Sequence, residues 1–132
     1  MKFPMPMIGA LLALCLLLSG CCGILSLRAE RQVVESLPVY PGAVRKSKFT
    51  TTWPDGTPSA GILYAIDAEP EQILEFYKVQ MSKEGWALEF KYGHSGLDEQ
   101  GYLHFRKGRF WCRVFIRGQA RPYDVSVRVG SH

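Results

Sequence analysis

The chain has 132 residues, of which 47% are hydrophobic and 21% are charged, and its formal net charge is +4. This length holds about one domain and excludes multidomain enzymes, and the apolar content excludes a disordered or collagen-like chain. A domain of about 100 residues buries somewhat over 60% of its unfolded surface, so one core can form without disulfide or metal staples.

The N-terminal segment is typical of an export signal. Lys2 is the only early charge, and an uncharged apolar run follows it. This run contains Leu18-Ser19-Gly20-Cys21, which resembles the lipobox of bacterial lipoproteins. The resemblance implies that residues 1–20 are a lipoprotein signal peptide, that Cys21 carries a diacylglyceryl thioether, and that residues 21–36 form a tether.

The same run also fits an uncleaved transmembrane helix. Residues 7–27 carry no charge and would measure about 31 Å as a helix, which is long enough to cross a bilayer. The charge distribution places the N-terminus in the cytoplasm. Both interpretations therefore predict a domain anchored at the extracytoplasmic face of the cell membrane or outer membrane. Residues 28–36 have mixed charge and fit either a tether or a short helical stalk.

The predicted domain, residues 37–132, opens with a β-hairpin. Residues 39–43 are typical of a turn, and residues 44–53 are rich in β-branched and aromatic types. Pro54-Asp55-Gly56 supplies a tight turn before the apolar residues 62–66. The sequence therefore predicts two paired strands.

The pattern changes to helical spacing between Asp67 and Gly85. Apolar residues recur three and four positions apart there, and charged residues occupy the other side. Pro70 suits the first turn of a helix, and Gly85 suits the position after its last turn. The sequence predicts one helix in this stretch.

Alternation with a period of two returns after Gly85 and recurs in four segments, which predicts four strands. The links between them are short and fit antiparallel neighbours, because parallel strands need crossovers of a dozen or more residues. We therefore predict an α+β domain with a single helix packed on one face of an antiparallel sheet, in the order β-β-α-β-β-β-β. The predicted core consists of Leu63, Ile73, Phe76, Tyr77, Met81, Trp86, Leu88, Phe90, Leu103, Phe105, Phe110, Cys112, Val114, Ile116, Val125 and Val127.

Three short stretches carry a second resemblance: Pro38-Val39-Tyr40-Pro41-Gly42-Ala43, Pro70-Glu71-Gln72-Ile73-Leu74-Glu75-Phe76-Tyr77-Lys78 and Glu84-Gly85-Trp86. Together they look like a pattern found in small uncharacterised bacterial lipoproteins and membrane-anchored proteins. The resemblance spans about residues 38–86. It supports the fold and the membrane location and implies no chemistry.

A polar loop supplies the candidate catalytic residues. His94, Ser95 and Asp98 lie within a few positions of each other, and His104 follows on the next predicted strand. An envelope hydrolase that uses His94 or His104 with Asp98 is therefore the alternative function. Residues so close in sequence seldom converge as a nucleophile, a base and an orienting group, so a solvated hairpin loop is the favoured interpretation.

Cysteine spacing gives little support to metal or redox chemistry. Cys112 lies on the same predicted side as Phe110 and Val114, which indicates a buried inert thiol. The sequence contains no Cys-x-x-Cys spacing, so a structural zinc site is disfavoured. We predict no catalytic residue, no metal and no cofactor.

The distribution of charge is the most informative feature. Residues 101–132 contain seven basic residues and one acidic residue, whereas residues 69–99 contain three basic and seven acidic residues. Strand alternation places a set of basic and aromatic side chains on the sheet face away from the helix. The predicted anionic-ligand site on this face consists of Arg106, Arg113, Arg117, Arg128, Trp111 and His104.

These observations predict a non-catalytic binding or interaction domain at the membrane. Its expected partners are anionic lipid, a cell-wall polymer or an acidic protein, and the compartment disfavours nucleic acid. Two other interpretations stay open. The basic face could be a solvated outer face on which arginine stems cover Trp111 and Phe115, and the protein could be a structural subunit in envelope assembly.

Overall fold

A computed structural model describes residues 27–52, 56–92 and 98–132. The predicted signal peptide or membrane span, Cys21, His94 and Ser95 lie outside these residues. In chain order the elements are α1 (described over residues 27–36), β1 (Val44–Thr52), β2 (Pro58–Ile66), α2 (Pro70–Lys83), β3 (Ala87–Tyr92), β4 (Glu99–Lys107), β5 (Phe110–Arg117) and β6 (Tyr123–Ser131).

The described strands form one antiparallel sheet in the order β1-β2-β6-β5-β4-β3. Strands β3 to β6 follow one another as neighbours, and β6 then pairs with β2 of the first hairpin. Helix α2 connects β2 to β3, which lies at the opposite edge of the sheet. The two edges are therefore β1 and β3, and the basic strands β4, β5 and β6 lie in the interior of the sheet.

Both helices contribute to one core. Val34 and Leu37 at the end of α1 belong to the same buried cluster as Ile73 and Tyr77 of α2. Helix α1 lies near β1 and β6, because Glu35 forms ion pairs with β1 and Glu30 is bonded to the end of β6. Helix α2 packs against β3 and β4. The two helices cover one face of the sheet and leave the other face uncovered.

Helix α1 makes the predicted fold class wrong. The sequence predicted a single helix in the order β-β-α-β-β-β-β, whereas a second helix precedes β1. The inward positions of α1 are Glu30 and Val34, and the buried Leu37 follows directly after the helix. A buried carboxylate occupies the first of them, and Ser131 Oγ donates a hydrogen bond of 2.5 Å to Glu30 Oε1. Residues 28–36 were predicted to be a tether or a short helical stalk, and the charged residue at an inward position gave no sign that this helix packs in the core.

Helix α2 has the start and end that its sequence predicts. Pro70 occupies the first turn, and the Glu69 backbone N–H donates to Gln72 Oε1 at 3.1 Å. Gly85 follows the helix with a φ of +89°, a conformation that glycine adopts without the strain of a Cβ atom. The chain then turns back so that Trp86 is buried in the core.

Part of the predicted core is wrong, because β3 contains a bulge and Leu63 of β2 was assigned to the wrong face. A β-bulge between Leu88 and Phe90 turns the second half of β3 to the other face, and both side chains are exposed. In β2, Ile62 and Tyr64 face the helices, and Leu63 between them is half-buried on the uncovered face.

Candidate anion-binding face

The candidate site lies on the sheet face that the helices leave uncovered, which we call the outer face. Strand pairing places His104, Arg113 and Arg128 directly opposite one another on β4, β5 and β6. Like charges that lie directly opposite each other across two strands are destabilising. The Arg113–Arg128 pair therefore costs stability that a bound negative charge would restore.

Three arginines of this face lie over aromatic rings. The guanidinium carbons are 4.7 to 5.3 Å from the ring centroids: Arg113 over Trp111, Arg117 over Phe115 and Arg128 over Phe49. Such cation–π contacts contribute about 0.5–1 kcal/mol at exposed sites. They also hold the guanidinium groups in place, which reduces the ordering that a ligand would have to impose.

His104 orients Arg113. Arg113 Nε donates a hydrogen bond of 3.1 Å to His104 Nδ1, so the proton of the neutral imidazole lies on Nε2. His104 Nε2 lies 3.3 Å from Glu89 Oε2 and donates to it. The His104 ring is only 6% exposed. Glu89 therefore orients His104, and His104 in turn orients Arg113. Both imidazole nitrogens are used in these contacts, so neither is left to contact a ligand.

Trp111 lies in a space that glycine provides. This indole is 2% exposed, although alternation predicted an exposed aromatic residue on the outer face. Gly130 is directly opposite Trp111 on β6, and a Cβ atom at Gly130 would overlap the indole ring. Phe49 has the same relation to Gly61. The two rings therefore lie flat on the sheet, and Trp111 is a support for Arg113.

The three arginines surround a shallow cavity of about 170 Å³, whose lining residues are Tyr102, Arg113, Phe115, Arg117, Ser126 and Arg128. Burial lowers the pKa of the Arg128 guanidinium, and the charges of Arg117 and Arg113 lower it further. Burial raises the pKa of the Tyr102 hydroxyl, which stays protonated at neutral pH. The lining therefore combines three cations and two hydroxyl groups in one place.

Other charges of the outer face lie in ion pairs. Arg106 Nε donates to Glu89 Oε1 at 2.8 Å, so a carboxylate compensates this guanidinium. Asp124 lies directly opposite Arg117, and its Oδ1 accepts a bond of 2.9 Å from Lys46 Nζ. Two carboxylates therefore lie directly opposite Arg117, because Glu99 on β4 is also paired with it in the sheet.

Exposed aromatic residues flank the cavity at the β3 edge. Phe90 is 53% exposed and Tyr92 is 55% exposed, although both are large hydrophobic side chains. The Phe90 ring contacts His104 with 5.7 Å between centroids, and the Tyr92 ring lies 5.8 Å from that of Tyr102. These contacts place both rings on the outer face beside the arginines.

The structure separates the predicted site residues into three groups. Arg113, Arg117 and Arg128 meet at the cavity, Arg106 is paired with Glu89, and Trp111 and His104 are buried supports. Three lining residues were not part of the predicted site, namely Tyr102, Phe115 and Ser126. Strand alternation places Tyr102 and Phe115 on this face beside the arginines, and the same argument applies to Ser126, which is two positions from Arg128.

The alternative catalytic residues are not brought together within the described residues. Asp98 Oδ1 accepts a bond of 3.3 Å from Gln119 Nε2, whereas the carboxylate beside His104 belongs to Glu89. Cys112 is fully buried, and burial raises the pKa of its thiol, so the nucleophilic thiolate is disfavoured.

We predict that His104 makes folding stability depend on pH. Burial lowers its pKa below the ordinary value of 6.5, the charge of Arg113 lowers it further, and the opposing effect of Glu89 is smaller. The neutral imidazole therefore stabilises the fold fully above about pH 6.5, and this contribution is lost as the pH falls through the folded-state pKa. Urea unfolding at several pH values should show that the free energy of unfolding falls less steeply between pH 6.5 and 5 for His104→Gln than for the wild type. Equal slopes would contradict this prediction.

Neither of the helices in the described residues combines the length and the apolar content that a membrane span needs.

Comparisons with known proteins assign no family to this chain. No family model matches the chain, and no solved structure matches it. The chain is 30% identical to an uncharacterized protein of Archaeoglobus fulgidus over 90 residues, which are 68% of this chain. The chain spans 29% of the length of that archaeal protein.

Proposed function

We propose that the protein is a membrane-anchored, extracytoplasmic binding domain that docks on an anionic lipid surface through its outer face, without catalysis. The observation that carries this proposal is the convergence of Arg113, Arg117 and Arg128 around one open cavity. Each basic residue close to anionic lipid contributes about 1 kcal/mol. Three of them provide about 3 kcal/mol, which corresponds to roughly a 100-fold gain in affinity.

The exposed rings favour a lipid surface over a soluble polyanion. Aromatic side chains with one apolar and one polar end are enriched where hydrocarbon meets lipid headgroups. Tyr92 is such a side chain, and Phe90 beside it adds purely apolar surface. Both project from the same face as the arginines and remain about half exposed in the folded chain. A bilayer offers both the negative charge and the apolar layer that such a face would contact. A polyanionic cell-wall polymer offers the charge without a continuous apolar layer.

Vesicle binding tests the proposal. The full-length chain is held by its N-terminal segment in nanodiscs of neutral phosphatidylcholine and is then mixed with separate vesicles. It should co-sediment with vesicles that contain phosphatidylglycerol and not with pure phosphatidylcholine vesicles, and empty nanodiscs should stay in solution. Arg113→Glu combined with Arg117→Glu should weaken the binding by about 100-fold or more, because two attractive charges become repulsive.

A matched variant separates docking by the outer face from general attraction. Lys78→Glu with Lys83→Glu makes the same change in net charge on α2, which lies on the other side of the sheet. This control should keep most of the binding. An equal loss in both double variants, with unchanged thermal unfolding, would overturn the proposal, and so would equal binding to both kinds of vesicle.

A further inference from the structure

The cavity between the three arginines has the size and lining of a subsite for one small anionic group. Its volume of about 170 Å³ is below the roughly 300–1,000 Å³ of sites that enclose a whole drug-sized ligand. The lining side chains carry no carboxylate and present donors on several sides, with the Phe115 ring as an apolar wall. Such a lining suits an anion with several acceptor oxygens.

The donor chemistry favours phosphate among such anions. A guanidinium presents a planar fork of N–H donors that matches two oxygens of a phosphate group, and a hydroxyl donates to a third. A terminal phosphate monoester carries a charge of about −1.5 to −2 at pH 7, whereas a diester carries a single negative charge. Three converging cations are therefore better compensated by a monoester than by a diester.

The cavity is also preorganised. His104 fixes Arg113 through the 3.1 Å hydrogen bond, Phe115 supports Arg117, and Arg128 extends across Gly61 to lie over Phe49. Burial is the main cause of the lowered pKa of Arg128, and the charges of Arg117 and Arg113 lower it further, so these cations lie near enough to repel it. An anion placed between them would relieve this repulsion.

We propose that this cavity binds the terminal phosphate monoester of a membrane lipid, with Arg113, Arg117 and Arg128 as the charged ligands and the Tyr102 and Ser126 hydroxyls as additional donors. This inference rests on the proposed function and specifies the headgroup that the docked face recognises. It predicts a preference for phosphatidic acid over phosphatidylglycerol that surface charge alone does not explain.

The test uses the full-length chain in phosphatidylcholine nanodiscs. Its affinity is measured for vesicles with phosphatidic acid and for vesicles with enough phosphatidylglycerol to give the same surface charge. We expect binding to phosphatidic acid to be at least tenfold tighter. Inorganic phosphate should reduce this preference, and chloride at equal ionic strength should not.

Two variants probe the cavity itself. Arg128→Lys keeps the charge and removes the guanidinium fork, and it should abolish the preference for phosphatidic acid while retaining phosphatidylglycerol binding. Ser126→Ala, a smaller change, should reduce the preference by several-fold. Arg109→Lys, in the turn between β4 and β5, is the matched control and should leave it unchanged.

The outcomes distinguish the two proposals. Equal binding to the two lipids at equal surface charge would overturn the phosphate subsite and leave the proposed docking function intact. A preference that persists in both Arg128→Lys and Ser126→Ala would also overturn the subsite, because the phosphate would then bind elsewhere. Failure to bind either anionic vesicle would overturn the docking function together with the subsite.

Discussion

Phe105→Ala is expected to lower the free energy of unfolding by about 3–5 kcal/mol, the range found when a buried phenylalanine is truncated and leaves a cavity. Phe105 is fully buried on β4, directly opposite Cys112 on β5 and Leu88 on β3. Its ring lies in the layer between the sheet and the helices, where little space is available for the neighbours to collapse. Urea unfolding followed by tryptophan fluorescence measures the change.

Phe90→Ala is the matched control for this prediction. It removes the same ring from the exposed side of β3, so the free energy of unfolding should change by about 0.5 kcal/mol or less. The same variant should weaken vesicle binding if the outer face docks on lipid. Similar destabilisation by the two substitutions would contradict the assignment of the core to the helix side of the sheet.

Gly130→Ala is expected to destabilise the domain by about 3 kcal/mol, at the upper end of the usual cost of overpacking. The new methyl group would occupy the space of the Trp111 indole, which is buried and has little room to move. Arg113 lies over that indole, so its guanidinium should shift together with the ring. We therefore expect the loss of stability to be accompanied by weaker binding of anionic vesicles.

A double-mutant cycle isolates this contact. In the background of Trp111→Leu, which lacks the large ring, Gly130→Ala should cost at least 1 kcal/mol less than in the wild type, because directly contacting residues couple by about 0.5–3 kcal/mol. Unfolding free energies of the four proteins give the coupling. Additive effects would show that the indole does not occupy the space above Gly130.

Much of the fold could be predicted from the sequence where the local signal and the tertiary packing agree. Helix α2 has its proline, its apolar spacing and its terminal glycine in consistent positions, and the structure contains it at Pro70–Lys83. The side chains of β5 also alternate between the two faces as predicted, since Cys112 and Val114 are buried in the core and Arg117 is exposed, although Trp111 is buried on the outer face. In both elements the burial of the side chains matches the hydrophobic pattern of the sequence.

Other elements depend on partners that are distant in sequence. The helical packing of α1 includes a hydrogen bond between Glu30 and Ser131, residues at opposite ends of the described chain. Trp111 is buried because the residue opposite it is Gly130, which no pattern within β5 reveals. The meeting of Arg113 and Arg128 likewise depends on the register between β5 and β6. The sequence predicted a basic face, but the cavity in it required the strand register.

If the chain is lipidated at Cys21, the position of α1 limits how far the domain can move from that lipid. Helix α1 packs on the side opposite the outer face, so residue 27 would stand on the order of 15 Å above a bilayer on which that face lay flat. Cys21 precedes residue 27 by six positions, and six extended residues reach about 20 Å. A lipid on Cys21 would therefore allow the outer face to contact the same membrane in which the lipid is inserted.

A spanning anchor would have the opposite consequence. A span over residues 7–27 would put residue 27 at the membrane surface, whereas the outer face lies on the other side of the sheet, on the order of 15 Å away, so this face could not lie flat on the same bilayer. The domain would then meet lipid only on a second, apposed membrane. The same arginine cavity would serve a peripheral attachment in the first case and a bridge between two membranes in the second.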